Sequence, residues 1–212
     1  MNTVEFIEKN KIVVIVRGVD GENILPLAQA MYDGGIRLIE FTFDASGKIP
    51  HDVTAGYIKK VAEHFGDNMA VGAGTVLTKK QVELTREAGG KFIISPDTNE
   101  EVIKYTKEQG LVSIPGALTP TEIAAASRAG ADFVKVFPVN NFGPKYIKDL
   151  LAPLSHVKML AVGGITLDNI GEYQGSGAVG FGIGSGIVDK TAIANGEFDK
   201  ITEYAKQYTS KI

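Results

Sequence analysis

The chain has no cysteine among its 212 residues. Disulfides, thiolate metal sites and cysteine nucleophiles are therefore excluded. Histidine is scarce: only His51, His64 and His156 occur, and no two have metal-ligand spacing. No nucleophile elbow supports a serine–histidine–acid triad. An excess of basic charge is missing as well. Lys and Arg total 22 against 25 Asp and Glu, a net charge of −3, which gives no support for a nucleic-acid partner. Long apolar runs are absent. The run Ile12–Val16 follows Glu5, Glu8 and Lys9 and falls short of the about 7–15 apolar residues of a signal peptide. Nothing approaches the roughly 20 apolar residues of a membrane span. These absences predict a cytoplasmic protein with no membrane contact, no metal and no nucleic acid.

Glycine, in contrast, is abundant: 25 of 212 residues, or about 12% against a usual value of about 7%. No G-X-Y period exists, and prolines number only 8, so the glycine serves local backbone geometry. Its positions follow a pattern. Eight short runs rich in β-branched residues begin at Ile12, Arg37, Met69, Lys91, Leu111, Asp132, Lys158 and Ala178. Their starts recur about every 20–30 residues, the length of one βα unit. Between them lie helical patterns over residues 23–33, 78–88 and 121–129, with another opening at Leu167-Asp168-Asn169. Gly34-Gly35, Gly89-Gly90 and Gly130 supply helix ends. Thr119-Pro120-Thr121-Glu122 supplies a helix start.

Eight strands alternating with helices predict a parallel sheet covered by helices. With no linker in sight, the expectation is a single-domain α/β fold, a (β/α)8 TIM barrel over residues 1–212 with a short N-terminal helix. An open doubly wound sheet is the alternative, but Arg17-Gly18-Val19-Asp20-Gly21 after the first run lacks its G-x-G-x-x-G fingerprint. In a barrel, chemistry belongs at the C-terminal ends of the strands.

Lys135 lies inside the apolar run Phe133–Pro138. It is either a snorkelling side chain paired at the barrel end or a buried amine, and a neutral amine can form a Schiff base. Glu40 lies inside Leu38–Phe43 and serves either a core salt bridge or general acid–base chemistry. The two belong to the second and sixth strands, which contribute to the same interior layers. Arg17, ending the first strand, suits a substrate carboxylate or a surface ion pair. Gly163-Gly164 and Gly184-Ser185-Gly186 follow the last two strands, where barrels often hold phosphate, although glycine also makes tight turns. Gly72-Ala73-Gly74-Thr75 ends the third strand and would aim the Thr75 hydroxyl at the same mouth.

Ile39-Glu40-Phe41-Thr42, Gly72-Ala73-Gly74-Thr75-Val76, Ile94-Ser95-Pro96, Ile114-Pro115-Gly116, Val134-Lys135-Val136-Phe137-Pro138 and Val162-Gly163-Gly164-Ile165 occur in that order. Together they resemble the signature of the 2-keto-3-deoxy-6-phosphogluconate / 4-hydroxy-2-oxoglutarate aldolases across essentially the whole chain. The resemblance implies an aldehyde-lyase that releases pyruvate from a phosphorylated keto acid. It makes Lys135 the Schiff-base lysine and Glu40 the proton shuttle. Arg17 and Thr75 would hold the pyruvyl carboxylate, and Pro96 and Phe137 would line the pocket. Gly163, Gly164, Gly184 and Ser185 would form the phosphate region. A homotrimer without metal or organic cofactor is also implied.

Two positions depart from the pattern. Many members carry arginine two residues after the threonine of the E-x-T motif, where this chain has Asp44. Many carry threonine where this chain has Val162. Val162 and the stretch Phe142–Ile147 look more like the 6-phosphogalactonate branch. The gluconate-type substrate is the leading expectation, with the galactonate epimer or 4-hydroxy-2-oxoglutarate as alternatives. Outside this chemistry stand a sugar-phosphate isomerase or epimerase using Glu40 and Lys135 for proton transfer, and a non-catalytic phosphate sensor.

Overall fold

The β-branched run that opens the pattern forms β1 (Ile12–Val16) in the computed structural model, which describes residues 1–212. There follow β2 (Leu38–Thr42), β3 (Ala70–Gly74), β4 (Phe92–Ile94), β5 (Val112–Ile114), β6 (Gly116–Ala117), β7 (Val134–Val136), β8 (Met159–Val162) and β9 (Gly180–Ile183). All paired neighbours are parallel, in the order β5-β4-β3-β2-β1-β9-β8-β7-β6. The two ends of that order are consecutive in sequence and separated only by Pro115. Phe133 N–H donates to the Ser113 carbonyl at 3.3 Å, and Lys135 N–H to the Pro115 carbonyl at 2.9 Å. These bonds close the ring. The fifth expected strand is therefore one stretch cut in two, because Pro115 has no N–H to offer the ladder. Nine strand segments make the eight βα steps of a TIM-like barrel.

Helices surround the sheet: α2 (Ile24–Asp33), α3 (His51–Phe65), α4 (Lys79–Glu87), α5 (Glu100–Glu108), α6 (Pro120–Arg128), α7 (Pro144–Leu151), α8 (Ile170–Gly175), α9 (Lys190–Ala194) and α10 (Phe198–Thr209). Local chemistry fixes their starts. Thr78 and Thr119 each accept from the backbone N–H three residues on, and Gln81 and Glu122 reach back, so α4 and α6 begin with full capping boxes. The helix expected to open at Leu167-Asp168-Asn169 does so: Asn169 is the N-cap of α8, and its side chain braces the preceding turn. That side chain accepts from Thr166 N–H and donates to the Gly164 carbonyl.

Strand alternation divides the apolar side chains into two sets. Ile12, Val14 and Val16 face outward and join the shell between sheet and helices. Val13 faces inward with Leu38, Phe92, Ile94, Ile114, Phe133, Leu160 and Val162. The N-terminal helix α1 (Thr3–Asn10) adds Ile7 to this interior cluster, with Val4 and Phe6 packed against it, and so closes the N-terminal end. Each buried Leu, Ile or Val contributes about 1.5–3 kcal/mol relative to an exposed one. A carboxylate or an amine facing the same interior has no such return, so Glu40 and Lys135 call for a reason other than stability.

Candidate active site

Glu40 sits at the third position of β2 and is 1% exposed. Lys135 sits at the centre of β7 and is half-buried. Both line one narrow cavity inside the barrel, whose other walls are Val13, Ile15, Ile94, Ile114, Leu160, Val162 and Gly182. Glu40 and Lys135 are its only ionisable walls. Neither takes part in any ion pair of the chain. Glu40 Oε2 has no hydrogen-bond partner at all. The core salt bridge and the snorkelling lysine, the two structural readings open from sequence, are thus both absent.

The apolar walls act on both groups in the same sense: they disfavour charge. Burial pushes the Glu40 carboxyl up to about 7, against the opposing pull of the Lys135 and Arg17 charges. Burial likewise pulls the Lys135 amine below its ordinary value. The Glu40 charge opposes this, and Arg17 adds to it. The Lys135 ammonium nitrogen lies 4.9 Å from the centroid of the Phe137 ring. The result is a carboxyl near its midpoint at neutral pH beside an amine eased toward its nucleophilic form.

Arg17 follows β1, exposed at the mouth, and its Nη2 donates to Thr75 Oγ1 at 3.0 Å. Thr75 follows β3 and has a φ of +56°. A β-branched residue in the left-handed region is strained by about 1–3 kcal/mol, and such strain clusters at functional sites. Here it accompanies a hydroxyl bonded to the arginine at the mouth.

The glycines after β8 and β9 leave backbone N–H groups free. Those of Gly163, Gly164, Ile165, Gly184, Ser185 and Gly186 donate to no carbonyl or side chain of the chain. Gly163 and Gly164 have φ of +100° and +71°, conformations that glycine alone adopts without strain. A Cβ at Gly163 would stand 3.3 Å from the Phe137 ring and 3.2 Å from Pro138, so this loop borders the lysine strand. Phe137 itself is 41% exposed at the rim. Unpaired N–H groups converging at a barrel mouth attract an anion.

Pro96 and Phe137, both expected to line the pocket, are not among the walls of this cavity: Phe137 stands at the rim beside Lys135, and Pro96 lies farther out. Pro96 is exposed beyond β4, and Ile94, two residues earlier, forms the wall instead. Asp44 is not a free charge at the mouth. Its carboxylate accepts from Ser46 N–H, Ser46 Oγ and Ile49 N–H at 2.7–3.0 Å, and these bonds hold it down to about 2. Two contributions escaped the sequence reading. One is the apolar wall that Ile15 and Leu160 add beside Val162. The other is Gly74, where a Cβ would come within 2.7 Å of the Glu40 carboxylate. The signal for Gly74 was present, because alternation along β3 puts Gly72 and Gly74 on the inner face. No three His, Asp or Glu side chains gather where a metal ion could be held. A wider groove near Met1, Phe6, Asp67 and Lys91 lies at the opposite end, away from both ionisable cavity residues.

The sequence matches the aldolase family described as KDPG and KHG aldolase over residues 4–204. The 2-dehydro-3-deoxy-6-phosphogalactonate aldolase of Escherichia coli K12 is 33% identical over 206 residues, covering 94% of this chain and 98% of its own. The 2-dehydro-3-deoxy-phosphogluconate aldolase of Treponema pallidum is 34% identical over 204 residues, covering 96% and 94%. The solved KDPG aldolase of Legionella pneumophila, with pyruvate captured as a covalent carbinolamine intermediate, superposes with a TM-score of 0.86 at 28% identity. It covers 97% of each chain. The chain belongs to the KDPG and KHG aldolase family.

Proposed function

We propose that this family member is a class I aldolase that cleaves a 2-keto-3-deoxy-6-phospho sugar acid of the gluconate type. The products are pyruvate and glyceraldehyde 3-phosphate. The observation that carries the reading is the shared cavity of Lys135 and Glu40, lined otherwise by apolar residues and glycine.

The neutral Lys135 amine attacks the C2 carbonyl, and loss of water leaves a protonated imine. Arg17 and Thr75 Oγ1 hold the neighbouring C1 carboxylate. The Glu40 carboxylate takes the proton of the C4 hydroxyl, directly or through a water. The C3–C4 bond breaks, its electron pair passes into the imine to give an enamine, and the aldehyde leaves. Glu40 then returns a proton to C3, and water hydrolyses the imine to release pyruvate. The free N–H groups of Gly163, Gly164, Gly184 and Ser185, with the Ser185 hydroxyl, take the phosphate. Phe137 covers the lysine side of the pocket. No step calls for a metal or an organic cofactor.

The galactonate epimer is a second reading. It is favoured by Val162 in the cavity wall and by the similar identity to relatives named for either sugar acid. In the same proposal residues 1–212 act as one domain in a cytoplasmic homotrimer. No helix is long and apolar enough to cross a membrane. Exposed Ile49, Val53, Leu77 and Phe142 offer apolar surface for an interface between subunits. Light scattering on the eluting protein reads the subunit number.

The deciding experiment is incubation with pyruvate and borohydride followed by peptide mass spectrometry. A reduced adduct is expected on Lys135 and is lost in Lys135→Met. An unmodified Lys135 would reject the imine and favour an isomerase or a sensor. A lactate-dehydrogenase-coupled assay across the two epimers and 4-hydroxy-2-oxoglutarate ranks the substrates.

A further inference from the structure

Gly74 ends β3 and is paired in register with Thr42 of β2. A Cβ built on it would fall 2.7 Å from Cδ, Oε1 and Oε2 of Glu40 alike. Equal distances to all three atoms mean that the carboxylate lies against this Cα, in the space a side chain would take. No other atom outside Gly74's chain neighbours is as near to that point. The backbone does not itself demand glycine, since Gly74 is not among the residues of positive φ. No hydrogen bond pins Glu40 Oε2. The seat is therefore set by shape.

A larger residue at position 74 would push the carboxylate along the inward Cα–Cβ direction. That direction leads into the cavity, where the apolar walls are already filled and Lys135 is the one opposite charge. In the native arrangement the two groups share the cavity without forming an ion pair. Resting on the aldolase reading, we propose that Gly74 is a positioning residue that seats the Glu40 carboxylate against β3 and so keeps it out of direct contact with Lys135. A contact pair would hold the lysine as ammonium, which cannot attack a carbonyl, and would commit the base as well.

Gly74→Ala tests this, with Glu40→Asp and the double variant as partners. Misplacing a catalytic group by about 1 Å costs up to about 100-fold. The expected fall in kcat for Gly74→Ala is therefore about 10- to 100-fold. Pyruvate trapping should slow at neutral pH and recover at higher pH, where the ammonium loses its proton. Aspartate retracts the carboxylate by one methylene and makes room for the methyl. In the Glu40→Asp background the alanine should thus cost less than about threefold, a coupling that neighbours show and remote sites do not. An equal loss in both backgrounds, or an unchanged rate and pH profile, would overturn the proposal. A readout independent of turnover is the infrared carboxyl band of Glu40, identified by its absence in Glu40→Gln. Its titration midpoint should drop in Gly74→Ala as the carboxylate nears the ammonium, and an unmoved midpoint would also overturn it. If the native protein neither traps nor releases pyruvate, the aldolase reading fails instead, while the infrared shift still reports on Gly74.

Discussion

Arg17 and Thr75 stand 58 residues apart in sequence, and the guanidinium of one donates to the hydroxyl of the other at 3.0 Å. The bond spans two strands that do not pair, since β2 lies between β1 and β3. It crosses the mouth above Glu40 and orients a cation whose charge reaches both Glu40 and Lys135.

Removing the hydroxyl while keeping the shape tests this clamp. Thr75→Val retains the β-branched outline at the same strained φ but leaves Arg17 without its partner. A hydrogen bond to a charged group contributes about 1.5–3 kcal/mol, or roughly 10- to 100-fold in binding. Steady-state kinetics should show KM for the keto acid rising in that range, with a smaller change in kcat. An unchanged KM would remove the pair from carboxylate binding.

Glu40 makes the fold sensitive to pH in a direction opposite to that of a salt-bridged carboxylate. Its folded value is raised to about 7 from an ordinary 4.5, so the unfolded chain loses this proton first as pH rises. Stability from this group is complete below about pH 4.5, declines up to pH 7 and stays lost above it. At about 1.4 kcal/mol per unit over this shift, the loss approaches 3.5 kcal/mol. Glu40→Gln should therefore be more stable than the native protein at pH 8 by up to that amount. The gap should nearly vanish at pH 4.5. Urea unfolding at the two pH values measures it. The same substitution should lose most turnover while still trapping some pyruvate.

Ser185 discriminates the phosphate reading from a general anion effect. Ser185→Asp sets a carboxylate among the free N–H groups after β8 and β9 and should repel a phosphorylated substrate. We expect KM for the 6-phospho sugar acid to rise by about 100-fold, the scale of roughly 3 kcal/mol from a misplaced charge. KM for 4-hydroxy-2-oxoglutarate, which lacks phosphate, should stay within about twofold. Parallel losses on both substrates would place the phosphate elsewhere.

Asp44 should prove to be a loop organiser and not a substrate contact. Asp44→Ala removes the acceptor for Ser46 N–H and Ile49 N–H. Hydrogen exchange at these two amides should quicken, while the borohydride adduct at Lys135 forms as before. Unaltered exchange would show that the loop holds its shape without the carboxylate.

Much of the fold was legible because burial on both sides of a parallel sheet leaves uninterrupted apolar runs. Against such runs Glu40 and Lys135 stand out at once, and so do the glycine pairs that end helices. The division at Pro115 was visible only as a proline within a run. Whether it bends the strand or edges the sheet depends on which strand lies beside it, and that strand begins 19 residues later, at Val134. The role of Asp44 as a loop anchor was hidden for a related reason. Its charge is plain in the sequence, but the turn that brings the amides of residues 46 and 49 to its oxygens is not.

The order of residues alone determined the alternation of strand and helix, the inward placement of one acid and one amine, and glycine at the ends of the last two strands. These follow from local rules of period two, of capping and of backbone freedom. Tertiary structure decided three further things. It left Glu40 and Lys135 unpaired in one apolar cavity, bound Arg17 to a strained Thr75, and set the Glu40 carboxylate in the space that Gly74 leaves open. Each depends on atoms brought together by strand pairing and barrel closure across 34 to 95 residues of chain, and such proximity is a property of the assembled barrel that no local pattern encodes.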